Sequence, residues 1–136
     1  EQFKLENGKY VFPVAIEEDI KLNHYIENAM IYGEGREFNI ALIIPDFVAL
    51  DKWAEKNNLS KDHAELLKRE ETRKFLENEI MNQLKDTYGN YEIPRKLIFL
   101  EEPFSLENGM LTQTMKLKRR IVFDKYKDQI EKLYVK

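Results

Sequence analysis

A cluster of positive side chains near the C-terminal end is the part of the sequence best suited to chemistry. Lys116, Lys118, Arg119 and Arg120 supply four cations within five residues, whereas the whole chain has a formal net charge of -3. An exposed group of lysine and arginine side chains attracts phosphate or carboxylate over short distances. The cluster therefore predicts an anionic target.

The spacing within the cluster indicates how its side chains could be presented. Alternate side chains of an extended segment share a face, so Lys116 and Lys118 would lie on one face and Met115 and Leu117 on the other. A plainer interpretation is an ordinary basic patch at the start of a helix, because short basic runs are common and often face water. For Lys118 and the two arginines after it, taken singly, both interpretations stay open.

The composition limits the other classes of function. The chain has 136 residues, 43% hydrophobic and 35% charged, which is typical of one soluble domain with a heavily charged surface. A negative net charge argues against a general nucleic-acid binder. The absence of cysteine excludes disulfides and thiolate ligands, and His24 and His63 are too far apart in the sequence to suggest a zinc site. No stretch approaches the ~18 apolar residues of a membrane-spanning helix.

Turn residues and apolar periodicity predict the elements that must position the cluster. Asn7-Gly8 between two alternating segments predicts a β-hairpin. A continuous apolar run at 40–44 predicts the central strand of a sheet that also contains strands at 26–32 and 95–100. Together with the helices, this order predicts an α+β fold: an N-terminal β-hairpin and a three-stranded sheet flanked by helices. The central strand is predicted at 38–44, and helices at 15–22, 47–56, 60–67, 70–88 and 121–134.

Four local features accompany these elements. Asp46 is expected to cap the 47–56 helix and Ser60 the short helix that follows. The acidic residues 17–19 are expected on the solvent face of the first helix, in its first turn, where the helix dipole favours negative charge. Trp53 is predicted to pack in the core, because it lies at helical spacing among apolar neighbours.

The run TQTMKLKRR at 112–120 resembles the lysine motif near the C-terminus of AMP-forming acyl-CoA synthetases, within the adenylate-forming enzyme superfamily. The lysine of that motif falls on Lys116, the apolar residue on Leu117 and the basic pair on Arg119 and Arg120. The resemblance implies that Lys116 is the lysine used for adenylation. Lys118 and the two arginines would contact phosphates or another domain.

Two departures from the common form of the motif indicate a branch of that family. Met115 stands where a glycine usually precedes the lysine, and Gln113 follows Thr112 in a run without proline. The long-chain fatty acid branch often lacks the glycine and carries a Thr-x-Thr-x-Lys-x-Lys-Arg pattern. The sequence therefore resembles the long-chain fatty acid CoA ligases most.

A second, distant stretch supports the same resemblance. Lys4, Gly8 and the pair Ile16-Glu17 resemble the segment that follows the interdomain hinge in this family. The resemblance implies that the loop of Asn7, Gly8 and Lys9 lines the CoA tunnel during thioester formation. A residue without Cβ in that loop would let backbone approach a thin ligand closely.

The resemblance also implies an architecture for the whole protein. Residues 1–136 would be a single, mobile C-terminal domain that begins just after the hinge, in a chain longer than this one. Its partner would be the N-terminal adenylation domain of the same polypeptide, with ATP, CoA and a fatty acid as substrates and Mg²⁺ held by the missing large domain. We expect a cytoplasmic protein, for which peripheral membrane contact is possible through the full enzyme, and an inactive isolated domain.

Two alternatives remain at this point. One is the C-terminal domain of another adenylate-forming ligase, specific for aryl or amino acids, because the acyl pocket belongs to the large domain. The other is a stand-alone α+β module that binds an anionic or protein partner through residues 116–120. The sequence preceding Glu1 distinguishes the module from the ligases.

Overall fold

The computed structural model describes residues 1–135, which form two compact units. The first unit spans Glu1–Glu101, and the second begins at Glu102. The first unit holds the N-terminal hairpin, the sheet and four helices, whereas the second holds the lysine motif and the last helix. The assignment of 1–136 to a single domain stays a prediction.

The first unit contains two separate sheets. Strands β1 (Phe3–Lys4) and β2 (Tyr10–Val11) pair antiparallel and confirm the predicted hairpin. Strands β3 (Ile26–Tyr32), β4 (Ile40–Pro45) and β5 (Lys96–Phe99) form a mixed sheet in the order β3-β4-β5. Strand β4 pairs antiparallel with β3 and parallel with β5. The predicted α+β class and the central position of β4 are therefore confirmed.

Five helices complete the described part of the chain. They are α1 (Pro13–Lys21), α2 (Phe47–Lys56), α3 (His63–Lys68), α4 (Glu70–Leu84) and α5 (Arg119–Leu133). The bounds of α2 are those predicted, because Asp46 caps it by accepting hydrogen bonds from the backbone N–H groups of Val48 and Ala49.

The core of the first unit lies between the three-stranded sheet and the helices. Every residue of β4 is buried, as expected of a strand covered on both faces. Helix α1 contributes Ile16 and Ile20, and α4 contributes Leu76, Ile80 and Leu84 at intervals of four residues. Burial of each such side chain stabilises the fold by about 1.5–3 kcal/mol. Trp53 is partly buried and stacks on Phe75 with ring centroids 4.4 Å apart, so its predicted packing role is confirmed.

The prediction for the first helix was wrong in two respects. Helix α1 begins at Pro13 rather than residue 15, because proline suits the first helical position, where its missing N–H is not needed. The acidic residues 17–19 therefore lie beyond the first turn. Glu17 is buried, only 4% exposed, and its carboxylate accepts a hydrogen bond of 2.7 Å from the backbone N–H of Ile31.

Other element ends also differ from the prediction. Asp62 rather than Ser60 caps α3, since its carboxylate accepts from the Glu65 N–H. Helix α4 ends at Leu84 instead of continuing to Tyr88. The Tyr88 hydroxyl instead donates a hydrogen bond to the Asp19 carboxylate; burial and this bond raise the pKa of Tyr88 to about 12. Tyr88 and Asp19 lie far apart along the chain, so a local pattern cannot reveal their contact.

Candidate functional site

The predicted adenylation lysine lies at the end of a tight hairpin turn in the second unit. Leu111 and Leu117 form an antiparallel bridge, and the Lys118 N–H donates to the Met110 carbonyl at 2.8 Å. Within this frame the Thr112 N–H donates to the Lys116 carbonyl at 2.9 Å. Hydrogen bonds therefore hold the backbone on both sides of Lys116, and they fix the position of its Cα.

Met115 adopts an unusual backbone conformation immediately before this lysine. Its φ is +66°, in the left-handed region that favours glycine and costs other residues about 1–2 kcal/mol. Met115 thus keeps a conformation suited to the glycine of the common motif, with a side chain that is 68% exposed. The predicted shared face of Met115 and Leu117 was wrong, because a left-handed residue interrupts the alternation of an extended segment.

The two threonines of the motif hold this turn together. The Met115 N–H donates to the Thr112 carbonyl at 2.9 Å, closing a four-residue turn. The Thr112 hydroxyl oxygen accepts from the Lys116 N–H at 3.1 Å and lies 3.1 Å from the Thr114 hydroxyl oxygen. The Thr-x-Thr pattern therefore has a structural reason: its side chains stabilise the turn that carries Lys116.

The charged groups of the motif differ in whether a carboxylate lies close to them. Lys116 and Lys118 are exposed, and neither makes an ion pair within residues 1–135. The Arg120 guanidinium lies 3.7 Å from the Asp124 carboxylate, although its side chain is 90% exposed. Arg119 is half-buried and begins α5. Lys116 is consequently a free cation on a defined turn, which suits electrostatic attraction of a phosphate or carboxylate.

A loop at 102–110 forms the base of this hairpin, and sequence reasoning assigned it no role. The Glu102 carboxylate accepts hydrogen bonds from the Lys125 ammonium at 2.6 Å and from the Asn108 side-chain amide at 3.2 Å. These bonds, the one from Lys125 foremost, lower the pKa of Glu102, and the same bond raises the pKa of Lys125. The sequence indicates a loop at 105–109, and the signal that could have revealed its role is Asn108 just before the hairpin, since Asn side chains readily bond nearby backbone.

The second predicted site, the loop of Asn7, Gly8 and Lys9, lies at the tip of the β1–β2 hairpin. The Gly8 N–H donates to the Leu5 carbonyl and the Leu5 N–H to the Lys9 carbonyl, both at 2.9 Å. Gly8 has a φ of +87°, and a Cβ added to it would meet no atom within 4 Å. The Lys9 ammonium lies 4.7 Å from the centroid of the Tyr91 ring, which is a cation–π contact.

The turns at 5–9 and 112–116 share one hydrogen-bond frame. In each, the first N–H donates to the fifth carbonyl, and the fourth N–H donates to the first carbonyl. The fourth residue is left-handed in both, Gly8 in one and Met115 in the other. The fifth residue is a lysine in both, Lys9 and Lys116. Each unit therefore presents one lysine from the same type of turn.

The two histidines lie apart from these loops. His63 makes a 3.0 Å contact with the Asp51 carboxylate and stacks on Phe47, whereas His24 is exposed beside Tyr25. No group of three or more His, Asp or Glu side chains able to hold a metal ion occurs within residues 1–135. In the same described part of the chain, no helix is both long and apolar enough to cross a membrane.

The fold of this chain is one that solved adenylation domains also contain. The structure superposes on the adenylation domain of a carboxylate reductase from Mycobacterium chelonae with a TM-score of 0.80, at 24% identity, covering 98% of this chain and 19% of that chain. At this identity, the likeness shows the fold alone.

Sequence comparison then gives the family. Residues 1–136 match the family described as AMP-binding enzyme C-terminal domain, and the chain belongs to it. It is 31% identical over 134 residues to long chain acyl-CoA synthetase 8 of Arabidopsis thaliana and 35% identical over 136 residues to fatty acyl-CoA synthetase B of Dictyostelium discoideum. These matches cover 96% and 98% of this chain but only 19% and 20% of those relatives.

Proposed function

We propose that this chain is the C-terminal lid domain of a long-chain fatty-acid–CoA ligase. It would supply Lys116 for ATP-dependent adenylation of the fatty acid and, after domain rotation, the Gly8 loop for thioester formation with CoA. The exposed, uncompensated Lys116 ammonium on a fixed hairpin is the observation that supports this assignment. The names of relatives matched over nearly the whole chain support the ligase class.

Lys116 would act electrostatically in the adenylation step. The fatty-acid carboxylate and the α-phosphate of ATP repel each other, and negative charge builds at phosphorus as the new P–O bond forms and pyrophosphate leaves. A fixed cation beside them lowers the repulsion and stabilises the transition state. Lysine suits this role because its ammonium is a compact charge on a long stem.

Other parts of the enzyme must supply the remaining chemistry. The adenine pocket, the acyl tunnel and the carboxylates that hold Mg²⁺ are assigned to the N-terminal adenylation domain of the same polypeptide. Lys118, Arg119 and Arg120 are assigned to phosphate or interdomain contacts, with Arg120 weakened by Asp124. We expect the isolated domain to be inactive, and the cytoplasmic location stays a prediction.

In the second half-reaction, the loop of Asn7, Gly8 and Lys9 would lie along the pantetheine arm of CoA. Gly8 and both its neighbours are exposed, and no atom lies within 4 Å of the position that a Cβ on Gly8 would take. Backbone without a Cβ can approach a narrow ligand closely. A bulky residue at this position should therefore slow thioester formation and leave adenylation intact.

The test is Lys116→Ala in the full-length protein, with pyrophosphate exchange as the assay for adenylation. Loss of one charge-stabilising contact should lower the exchange rate by roughly 10²–10³-fold. Lys127→Ala is the matched control, since Lys127 is also an exposed lysine of the second unit. Normal exchange by Lys116→Ala would refute the assignment. A panel of fatty, aryl and amino acids tests the substrate class, and exchange with aryl or amino acids alone would favour the alternative ligases.

A further inference from the structure

We infer that Asn108 is a positioning residue for Lys116, acting through the backbone of the lysine hairpin. This inference rests on the proposed function of Lys116. Asn108 lies eight residues before the lysine and would not touch the substrates itself. Its side chain instead fixes the point at which the hairpin leaves the preceding loop.

The Asn108 side-chain amide uses its full hydrogen-bonding capacity inside the 102–110 loop. Its Oδ1 accepts from the backbone N–H groups of Ser105 and Met110, both at 3.1 Å. Its Nδ2 donates to the Pro103 carbonyl at 2.8 Å and to the Glu102 carboxylate at 3.2 Å. An asparagine amide offers two acceptor sites and two donors, so none is left over. Few side chains could replace it in this geometry.

The same loop is connected to both strands of the hairpin. On the incoming side, the Met110 N–H donates to Asn108 Oδ1, and the Met110 carbonyl accepts from the Lys118 N–H of the outgoing strand at 2.8 Å. Beyond the outgoing strand, the Glu102 carboxylate accepts a hydrogen bond from the Lys125 ammonium of α5 at 2.6 Å. Asn108 therefore stands where the incoming strand, the outgoing strand and the following helix are joined.

Lys116 depends on this backbone for its position. Its side chain is exposed and forms no ion pair among the described residues, so no intramolecular partner directs the ammonium. Met110 is buried, only 1% exposed, and is thus the fixed end from which the hairpin extends. A shift at Met110 is carried along the paired strands to Lys116. A displacement of about 1 Å at a charged group can cost roughly 10²-fold in rate.

The experiment compares Asn108→Ala with wild type in the full-length protein, one half-reaction at a time. We expect the kcat of pyrophosphate exchange to fall about 10- to 100-fold, with the KM for ATP within about threefold. Thioester formation from purified acyl-adenylate and CoA should stay within about twofold of wild type. Glu107→Gln is the control, because Glu107 is exposed in the same loop and should leave both steps unchanged.

A double-mutant cycle separates positioning from a merely structural role. If Asn108 acts through Lys116, adding Asn108→Ala to Lys116→Ala should change the exchange rate by less than about twofold. Independent losses that multiply would overturn the inference. Equal loss of both half-reactions in Asn108→Ala, or an unchanged exchange rate, would also overturn it.

A second variant leaves the Asn108 side chain in place. Glu102→Gln keeps the Asn108 bonds to Ser105, Met110 and Pro103 and changes only the Glu102 carboxylate that Asn108 and Lys125 share. We expect its exchange rate to lie within about threefold of wild type. A rate as low as that of Asn108→Ala would show that the Glu102 contacts, and not the bonds to Ser105 and Met110, position the hairpin.

The inference and the proposed function fail in different ways. Normal exchange in Lys116→Ala refutes the proposed function, whatever Asn108 does. Strong loss in Lys116→Ala with normal exchange in Asn108→Ala refutes only the positioning role.

Discussion

Opposite substitutions in the two matching turns should have opposite effects on local stability. Gly8 and Met115 are both left-handed, with φ of +87° and +66°. Gly8→Ala introduces a left-handed non-glycine residue, which destabilises the folded turn by roughly 1–2 kcal/mol. The substitution also stiffens the unfolded chain, and this offsets roughly 0.4–1 kcal/mol of that destabilisation. Because a Cβ at Gly8 meets no atom within 4 Å, no steric term is added. We expect Gly8→Ala to destabilise its turn by about 1 kcal/mol.

Met115→Gly reverses both effects: it removes the cost of a left-handed non-glycine residue, and it makes the unfolded chain more flexible. The mostly exposed Met115 side chain contributes little packing, so its removal should stabilise the 112–116 turn by about 1 kcal/mol. Amide hydrogen exchange measured by NMR reports each turn separately, through the N–H groups of Leu5 and Thr112, which close the two turns. At about 1 kcal/mol, exchange should speed up roughly fivefold in Gly8→Ala and slow roughly fivefold in Met115→Gly.

Two controls complete this experiment. Gly8→Asn should cost less than Gly8→Ala, since asparagine enters the left-handed region more readily. Met115→Ala should change exchange little, because it keeps a non-glycine residue in the same conformation. The reasoning is refuted if Gly8→Ala and Met115→Gly shift exchange in the same direction, or if neither shifts it.

Three further predictions concern the lysine turn, the core and pH. Thr112→Val should lower the adenylation kcat about three- to tenfold, and Thr114→Val should lower it less. The reason is that only the Thr112 hydroxyl also accepts a hydrogen bond from the Lys116 N–H, so equal effects of the two substitutions would contradict the prediction. Leu76→Ala should cost about 2–5 kcal/mol in urea unfolding followed by Trp53 fluorescence, against less than about 0.5 kcal/mol for the exposed Leu22→Ala. The raised pKa of Tyr88 favours its protonated form in the folded state, so its stabilisation is present below pH 10.0 and lost as pH rises towards about 12. Unfolding of Tyr88→Phe should lack this alkaline loss.

The sequence predicts best where a local pattern is enough. The continuous apolar run of β4 indicated a doubly covered central strand, because no polar face remained for solvent. Helix α2 was predicted with its bounds, because Asp46 caps it through two amides within three residues. The Asn7-Gly8 pair likewise predicted the first hairpin, since a turn requires only its own residues.

Predictions failed where a distant partner decided the outcome. Helical spacing predicts Glu17 on a solvated helix face, but the N–H of Ile31, fourteen residues away, donates a hydrogen bond to its carboxylate in the interior. The apolar spacing predicts that helix α4 continues to Tyr88. The Tyr88 hydroxyl instead donates a hydrogen bond to Asp19, sixty-nine residues away. A periodic pattern reports which residues prefer burial, whereas it cannot report which buried donor or acceptor they will meet.

The candidate site divides in the same way. By residue type and spacing alone, the sequence determined that residues 116–120 carry a cluster of cations and that Gly8 lies in a tight turn, whereas the choice of Lys116 within the cluster is what the family resemblance implies. Only the tertiary structure decided that Met115 takes a left-handed conformation, which favours glycine, and that Asn108 joins Met110 to Glu102 at the base of the hairpin. The physical reason is that charge belongs to a residue, whereas the position of that charge depends on hydrogen bonds formed when the chain folds.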